Sequence, residues 1–495
     1  MNVLLISMPD VAPIIMHEAA FHMPNLGIAS LGANLDARHT VHLIDLVRKR
    51  RGLRRYLTRM LLQLRPDLVG LSAMTWQFDT CLKLIRLIKT VLPEVRIVIG
   101  GYHATLMYEE IGADPAAQAI DFMIRGEGEA ALRGLVNALE DGTGLADIPS
   151  LSYRRGDRWV HNPKGALLDL GRLKLPIRDQ RRLTRGYHIM NHGAEVIETS
   201  RGCTRNCNFC SIRHMYGRAF RPFPIERVLA DIDDIYHHRH CRYVFVSDDN
   251  FVLAPERVKA LCKAIVARRY HSLHFTVQAD SVTIARNEEM VRLMARAGFS
   301  SLFLGVENVS SKNLQAASKG DIVDASRRAI ALCRKYNMMV VAGMIFGFPD
   351  DTEAEIVANF RFLKETQVDT AYCQILTPYP KTGIRQALLA QGLVTNPDHF
   401  STYNGMWANV RTRHLSAERL QYLVWYHKQR ILGWWDPSPS VRAQGRLWTG
   451  IWIYLMRPLM QKMVAHKLRR IGWQGRYRQE IARLGGINRF PDLHD

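Results

Sequence analysis

Over roughly its first 150 residues the chain alternates short, nearly continuous apolar runs with stretches of helical periodicity. The apolar runs fall at residues 3–7, 40–46, 67–73, 95–101 and 121–125, and residues 80–92 are one of the helical stretches between them. Strands that are apolar on both faces and separated by helices predict a parallel sheet covered on both sides. The expectation for residues 1–147 is therefore a doubly wound, Rossmann-like α/β domain. Such domains bind ligands beyond the carboxyl ends of their strands, which directs attention to the loops after Ala73, Gly101 and Arg125.

The pattern weakens over residues 148–193, where Tyr153-Arg154-Arg155-Gly156-Asp157-Arg158 reads as a hairpin and a basic linker runs through Arg178 to Arg185. Alternation resumes over residues 194–400. Strands are expected near 195–199, 243–247, 275–278, 301–307, 340–346 and 370–376, with helices at 225–237, 256–267, 288–297 and 325–336. Six strand–helix units in a row predict a partial (β/α)6 barrel with its active site at the carboxyl ends of the strands. Residues 401–495 form a helical, basic, tryptophan-rich C-terminal region.

Composition changes this picture in three ways. At 495 residues the chain is too long for one core, in keeping with the division above. Its formal charge of +21 calls for an acidic partner without choosing among nucleic acid, an anionic membrane and a phosphate-bearing cofactor. Eight cysteines, three of them between Cys203 and Cys210, suit a metal or cluster site in a reducing compartment better than a disulfide framework. Cys81, Cys262, Cys333 and Cys373 fall in helical or strand patterns and read as small buried hydrophobes. The opening Met1-Asn2-Val3-Leu4-Leu5-Ile6-Ser7 has neither a basic n-region nor a cleavage site, so it reads as a strand and not as a signal peptide. No apolar run reaches the ~18 residues of a membrane span. The expected location is cytoplasmic, with a peripheral contact to the inner face of the membrane.

The chemistry is densest at Arg201-Gly202-Cys203-Thr204-Arg205-Asn206-Cys207-Asn208-Phe209-Cys210, a C-x3-C-x2-C loop directly after an expected strand. Three thiolates can hold three irons of a four-iron four-sulfur cluster and leave the fourth iron open to an outside ligand. The alternative is a Cys3His zinc site using His214. A small zinc module rarely opens a series of six βα units, which weighs against it. With the aromatic Phe209 before its last cysteine, the loop resembles the signature of the radical S-adenosylmethionine (radical SAM) superfamily. The resemblance implies that Cys203, Cys207 and Cys210 carry a 4Fe-4S cluster, that S-adenosylmethionine chelates the open iron, and that its reductive cleavage yields a 5′-deoxyadenosyl radical. No catalytic side chain beyond the cofactor ligands is implied. In the same register, Asp248, Asp249 and Asn250 end the second barrel strand where the family usually has Gly-Gly-Glu, and Gly305-Val306-Glu307 ends the fourth. Gly343-Met344-Ile345-Phe346-Gly347-Phe348-Pro349-Asp350 matches the fifth-strand pattern G-x-I-x-G-x-x-E with Asp350 in place of Glu. The resemblance thus makes Phe209, Asp248, Asp249, Asn250, Glu307 and Gly343 candidates around S-adenosylmethionine.

The amino-terminal strand ends have a pattern of their own. Pro66-Asp67-Leu68-Val69-Gly70-Leu71-Ser72-Ala73-Met74-Thr75, Gly100-Gly101-Tyr102-His103-Ala104-Thr105 and Arg125-Gly126-Glu127-Gly128-Glu129 resemble the cobalamin-binding domain that precedes many radical enzymes. Glycines and small hydroxyl residues there let backbone approach a bulky ligand. The candidate cobalamin contacts are Ser72, Thr75, Gly100, Gly101, His103, Thr105, Glu127 and Gly128. His103 can equally be a loop histidine that caps a helix. Gly126-x-Gly128-x-x-Ala131 imitates a dinucleotide fingerprint but comes at the last strand. The D-x-H-x-x-G motif that supplies an axial histidine elsewhere is missing, so cobalt is expected to carry no histidine. A domain that kept the fold and lost the ligand is the alternative.

Together these resemblances imply methyl transfer to an unactivated carbon, and the composition of the C-terminal tail favours a lipophilic small molecule as substrate: a lipid, an isoprenoid or a tetrapyrrole. The runner-up resembles the anaerobic magnesium-protoporphyrin monomethyl ester cyclases, and a cobalamin- or cluster-based sensor is the reading outside enzymes. An electron donor such as flavodoxin or ferredoxin is implied. Nucleic acid is not expected, because Arg48-Lys49-Arg50-Arg51 is not interleaved with stacking aromatics and reads as a solvated helix start. In the tail, Leu432-Gly433-Trp434-Trp435 and residues 447–456 precede Arg457, Lys462, Lys467, Arg469, Arg470, Trp473, Arg476 and Arg478. Tryptophan beside clustered arginine suits a helix lying in a membrane interface, and a helical cap on the barrel is the competing reading.

Overall fold

The computed structural model describes residues 1–11, 21–189, 192–434 and 447–493. Before residue 162 it contains β1 (Asn2–Ser7), β2 (Phe21–His22), β3 (Thr40–Asp45), β4 (Leu68–Ser72), β5 (Arg96–Gly100), β6 (Phe122–Ile124), β7 (Leu151–Arg155) and β8 (Arg158–His161). All but β2 form one sheet in the order β3-β1-β4-β5-β6-β7-β8. The first five of these strands run parallel. Alternate residues of β1 enter opposite cores, Leu4 and Ile6 on one face and Val3 and Leu5 on the other, which is why the strand reads as unbroken apolar sequence. The chain leaves β1 for β3 on one side and returns to β4 on the other. That reversal opens a crevice at the carboxyl ends of β1 and β4. The expected hairpin is present, but it extends this sheet, β7 pairing antiparallel with β6.

The second sheet contains β9 (His188–Ile189) and β10 (His192–Ile197) and, after the short antiparallel pair β11 (Ser200–Arg201) and β12 (Arg221–Pro222), continues with β13 (Tyr243–Val246), β14 (His274–Asp280), β15 (Phe299–Glu307), β16 (Met339–Phe346) and β17 (Thr370–Ile375). Its order is β17-β16-β15-β14-β13-β10-β9-β2. The six long strands are parallel and follow one another in chain order, the arrangement of a partial (β/α)6 barrel. Its edge is completed from the other domain, because β2 pairs with β9. The linker is also fastened: Arg178 is fully buried and donates to Asp231 (2.6 Å), Glu195 (3.3 Å) and the carbonyl of Val196 (2.9 Å). Removing one partner from such a buried set costs about 3–5 kcal/mol. The helix expected at 225–237 is α-helical over Ile225–Asp233 and ends in a π-helical turn, Asp234–His238.

Two helices dominate the C-terminal region, Ala417–Trp434 and Leu447–Gly485, the second broken at Gly472 (φ 69°). Beyond the break, Trp473 and Tyr477 pack edge-on against Trp425, and Phe490 and Leu493 enter the core of the first domain. This part of the tail is a cap bridging both domains. Residues 435–446, with Trp435, and the side chains of residues 432–434 and 447–458 lie outside the described residues, so the tryptophan-rich membrane stretch itself is not described. Among the described residues no helix is long and apolar enough to cross a membrane.

Candidate cofactor site

The carboxyl ends of both sheets face a common cavity of about 500 Å³. From the first domain its walls include Ser72, Gly100, Gly101, Tyr102, Glu127 and Gly128; from the second they include Val196, Glu198, Arg201, Tyr216, Phe245 and Ser247. The first wall is largely backbone. Gly101 stands at φ +92°, and a Cβ there would press to 2.8 Å from the carbonyl of Ala73, whereas at Gly100 the nearest atom would be 3.8 Å away. Only glycine lets these two loops lie together and leave the crevice open. A glycine-lined crevice at the topological switch point fits a broad, flat ligand such as a corrin.

Of the candidates in this wall, Ser72, Gly100, Gly101, Glu127 and Gly128 line the cavity; Thr75, His103 and Thr105 do not. Thr75 is buried at the start of a turn. Thr105 acts from behind, donating to the Gly101 carbonyl (2.8 Å) and accepting from the Gly126 amide (2.9 Å), and so ties two loops together. His103 is the clearest departure from expectation. Its ring lies between Phe78 (centroids 4.2 Å) and Phe400 (5.6 Å), an aromatic contact between the two halves of the chain, and burial pushes its pKa down to about 4. The ring packs between the two aromatics, outside the cavity lining.

The opposite wall leads to the cysteine loop. Gly202 has φ +83°, and a side chain there would collide with the carbonyl of Ala219, so the turn into Cys203 is closed to other residues. The three cysteines are free, half-buried thiols. Burial raises the pKa of all three, that of Cys210 to about 12, where the nearby Cys207 and Cys203 add to the effect of burial. Such a trio accepts positively charged iron far more readily than it ionises alone. Phe209 packs on the barrel core, and the Asn208 amide donates to Ala317 (3.0 Å) on the loop after β15. Cys241, the next cysteine, precedes β13 at the amino-terminal edge of the sheet, away from this loop. His214 is not gathered with the thiols: among the described residues no three His, Cys, Asp or Glu side chains assemble for a single metal ion. A four-iron cube spreads its thiolates wider than one ion does.

The three polar groups after β13 divide the work. Asp248 is buried and fully engaged, accepting from the Thr199 amide (2.6 Å), the Thr199 hydroxyl (2.6 Å) and the Ser200 hydroxyl (2.5 Å). It braces the chain leading to the cysteines, which corrects its candidacy as a cofactor contact. Among the described residues Asp249 accepts from the Gly202 amide (2.9 Å), and burial lifts its pKa to about 6. Asn250 bonds Asp280 (3.0 Å) and lies against the Cys203 thiol. Glu307 adopts the left-handed φ of +64° at a register break between β15 and β16 and pairs with Lys319 (2.9 Å), which also acts on Cys207. At Gly343 a Cβ would meet the Phe303 ring at 2.8 Å, so its role is packing. Asp350 is paired with Lys312 (2.5 Å) and Arg413 on the surface; the acid that closes this turn is buried Asp351, which accepts from Gly347 (2.8 Å) and Phe348 (3.1 Å) amides and from Asn313 (2.6 Å). Sequence reasoning missed Lys319 and Tyr102, which no spacing marks. It also passed over Arg201, which stood in plain view beside the first cysteine.

A glycine crevice and, beside it, a loop of three thiols at the strand ends of two α/β halves are the features of a cofactor-dependent enzyme. The comparisons agree. The model of the radical SAM superfamily matches residues 197–363, and that of the B12 binding domain matches residues 12–136. The chain carries a radical SAM domain preceded by a B12-binding domain, and its cofactors are a 4Fe-4S cluster, S-adenosylmethionine and cobalamin. It is similar to an uncharacterised methyltransferase of Pyrococcus horikoshii, 27% identical over 87% of this chain and 94% of that one. It also resembles the anaerobic magnesium-protoporphyrin IX monomethyl ester cyclase of Rubrivivax gelatinosus (25%; 66% and 59%) and the hopanoid C-3 methylase of Methylococcus capsulatus (25%; 75% and 70%). The fold matches the radical S-adenosylmethionine methyltransferase TsrM from Kitasatospora setae with a TM-score of 0.65 at 20% identity, over 80% of this chain and 76% of that one.

Proposed function

We propose that the chain transfers a methyl group to an unactivated carbon of a lipophilic small molecule. The observation that carries this reading is the cavity between the glycine crevice and the barrel strand ends, whose lining includes Arg201, two residues before Cys203. A cluster held by the cysteine loop would supply the electron that cleaves S-adenosylmethionine, and cobalamin held in the crevice would carry the methyl group. In this reading Cys203, Cys207 and Cys210 hold the cluster. Asp249, Asn250 and the Glu307–Lys319 pair orient the polar end of S-adenosylmethionine, and Ser72, Gly100, Gly101 and Gly128 bear on the corrin. The inward turn of His103 to Phe78 and Phe400 supports a cobalt without imidazole. Apolar lining such as Val196, Phe245 and Leu71 suits a substrate with little charge, as do the hopanoid and tetrapyrrole substrates named for the relatives.

Anaerobic turnover with methyl-labelled S-adenosylmethionine and a flavodoxin or ferredoxin donor tests the reading. Label in a product supports transfer; 5′-deoxyadenosine with no labelled product points to cyclase-type chemistry. A peripheral membrane contact belongs to the same reading. Leu459 (47% exposed) and Met463 (61%) stand among exposed Lys462, Lys467, Arg469 and Arg470 on one helix, which suits an anionic interface. Flotation with anionic liposomes at low salt should carry the protein upward, and failure to float would remove this contact.

A further inference from the structure

Two motifs 72 residues apart prove to be each other's partners. Arg201, two positions before Cys203, sends its guanidinium across the domain boundary into the Gly126-Glu127-Gly128-Glu129 loop. Its Nη2 donates to Glu129 (2.7 Å), its Nη1 to Glu127 (2.9 Å), and its Nε to Glu198 (2.9 Å) at the end of its own strand segment. Arg221, the register partner of Arg201 in the β11–β12 pair, donates to the same Glu127 oxygen (2.9 Å). The other carboxylate oxygens are engaged too: Glu129 Oε2 accepts from Arg201 Nη1 (3.3 Å) and Glu127 Oε2 from the Leu168 amide (2.9 Å), while Ser30 donates to the same Glu129 Oε1 (2.8 Å) as Arg201 Nη2. The side chains of Arg201, Glu127 and Glu129 are 5–7% exposed.

Burying this many charges is a poor way to gain stability, since apolar packing would do as well or better. What a guanidinium fork with several fixed acceptors does supply is direction. One end of the clamp is the residue leading into the cysteine loop; the other is the strand-end loop that lines the glycine crevice. We propose that Arg201 is a positioning residue, and that its clamp on Glu127 and Glu129 holds the cysteine loop in register with the corrin crevice. The proposal rests on the cofactor assignment above. It reassigns Glu127 from ligand contact to clamp, and it makes the acidic loop of one domain part of the other domain's machinery.

The test uses the full chain. In the ligand-free protein, Glu129→Gln should speed hydrogen–deuterium exchange at residues 202–210 by about fivefold or more while β10 exchanges as in the wild type. Unchanged exchange at 202–210 overturns the proposal. Arg201→Lys, which keeps the charge and loses the fork, is the second variant and is judged in the same way. If neither variant folds, hydroxocobalamin added to the wild type decides: it should slow exchange at 202–210, and no effect there overturns the clamp. With iron and corrinoid at wild-type content, both variants should raise the ratio of 5′-deoxyadenosine released to methyl groups transferred by about threefold or more, because transfer needs both sites in register. A merely structural role would lower both products together, and an unchanged ratio overturns the proposal. Should the wild type cleave S-adenosylmethionine without transferring a methyl group, the proposed function fails, while the exchange comparison still judges the clamp.

Discussion

The two halves of the candidate site are built by opposite means. The second-domain half is built from side chains: three thiols, Asp249, Asn250 and the Glu307–Lys319 pair cluster at the strand ends, and Glu198, Arg201 and Tyr216 carry that half into the cavity wall. The first-domain wall works largely by leaving side chains out, with Gly100 and Gly101 clearing the crevice and hydroxyls such as Thr105 bracing it from behind. A side-chain site tolerates backbone adjustment but not loss of a donor. A backbone site has no donor to lose and fails when a Cβ is added. The two walls should therefore answer to different mutations.

The largest effect is expected at the thiols. Replacing Cys203, Cys207 and Cys210 by Ala should remove the iron and abolish reductive cleavage while corrinoid binding persists. Cys241→Ala should leave iron content unchanged, and loss of iron there would point to a four-cysteine site instead. Next comes Asp351→Ala, which strands two amides and Asn313 in a buried turn. It should lower stability by about 2–3 kcal/mol in denaturant titration, whereas half-buried, salt-bridged Asp350→Ala should cost under about 1 kcal/mol. Equal costs would break the distinction drawn between the two acids.

On the other wall, Gly101→Ala should weaken corrinoid binding by about tenfold with iron content untouched, since a left-handed residue with a side chain costs about 1–2 kcal/mol before any clash with Ala73. The smallest effect is expected at His103. His103→Phe should change corrinoid affinity by less than about twofold. Its signature is in pH. The pKa of His103 is depressed by burial to about 4, so its contribution to stability is present above its unfolded value near 6.5 and is lost as pH falls towards 4. Thermal denaturation from pH 7 to pH 4 should show a shallower acid loss in His103→Phe than in the wild type. Identical slopes would mean the ring is solvated.

The same contrast explains what the sequence could tell. Thiolate spacing is written in residue types, so the cysteine loop was legible at once, as were the six strands whose apolar faces share one core. A backbone cradle is written only in glycines, and the residues around them carry no mark of direction. Thr75, His103 and Thr105 sit on the right loops but face away from the cavity. Asp350 and Asp351 are adjacent acids, and only the turn shows which one is turned inward. Two-residue β2 is too short to leave any pattern, and its pairing with β9 spans more than 160 residues of sequence. Long-range partners such as Arg201 with Glu129 are invisible for the same reason, since each reads alone as an ordinary charged residue.

The central claim is that both walls serve one cavity. It is tested most directly by electron paramagnetic resonance of the cob(II)alamin signal in the full protein with its cluster reduced. Cobalamin and cluster sharing the cavity should give a cob(II)alamin signal that relaxes faster than in the triple cysteine variant and carries no nitrogen splitting from an axial imidazole. A signal with the same relaxation in both proteins would place the two cofactors apart and contradict the account.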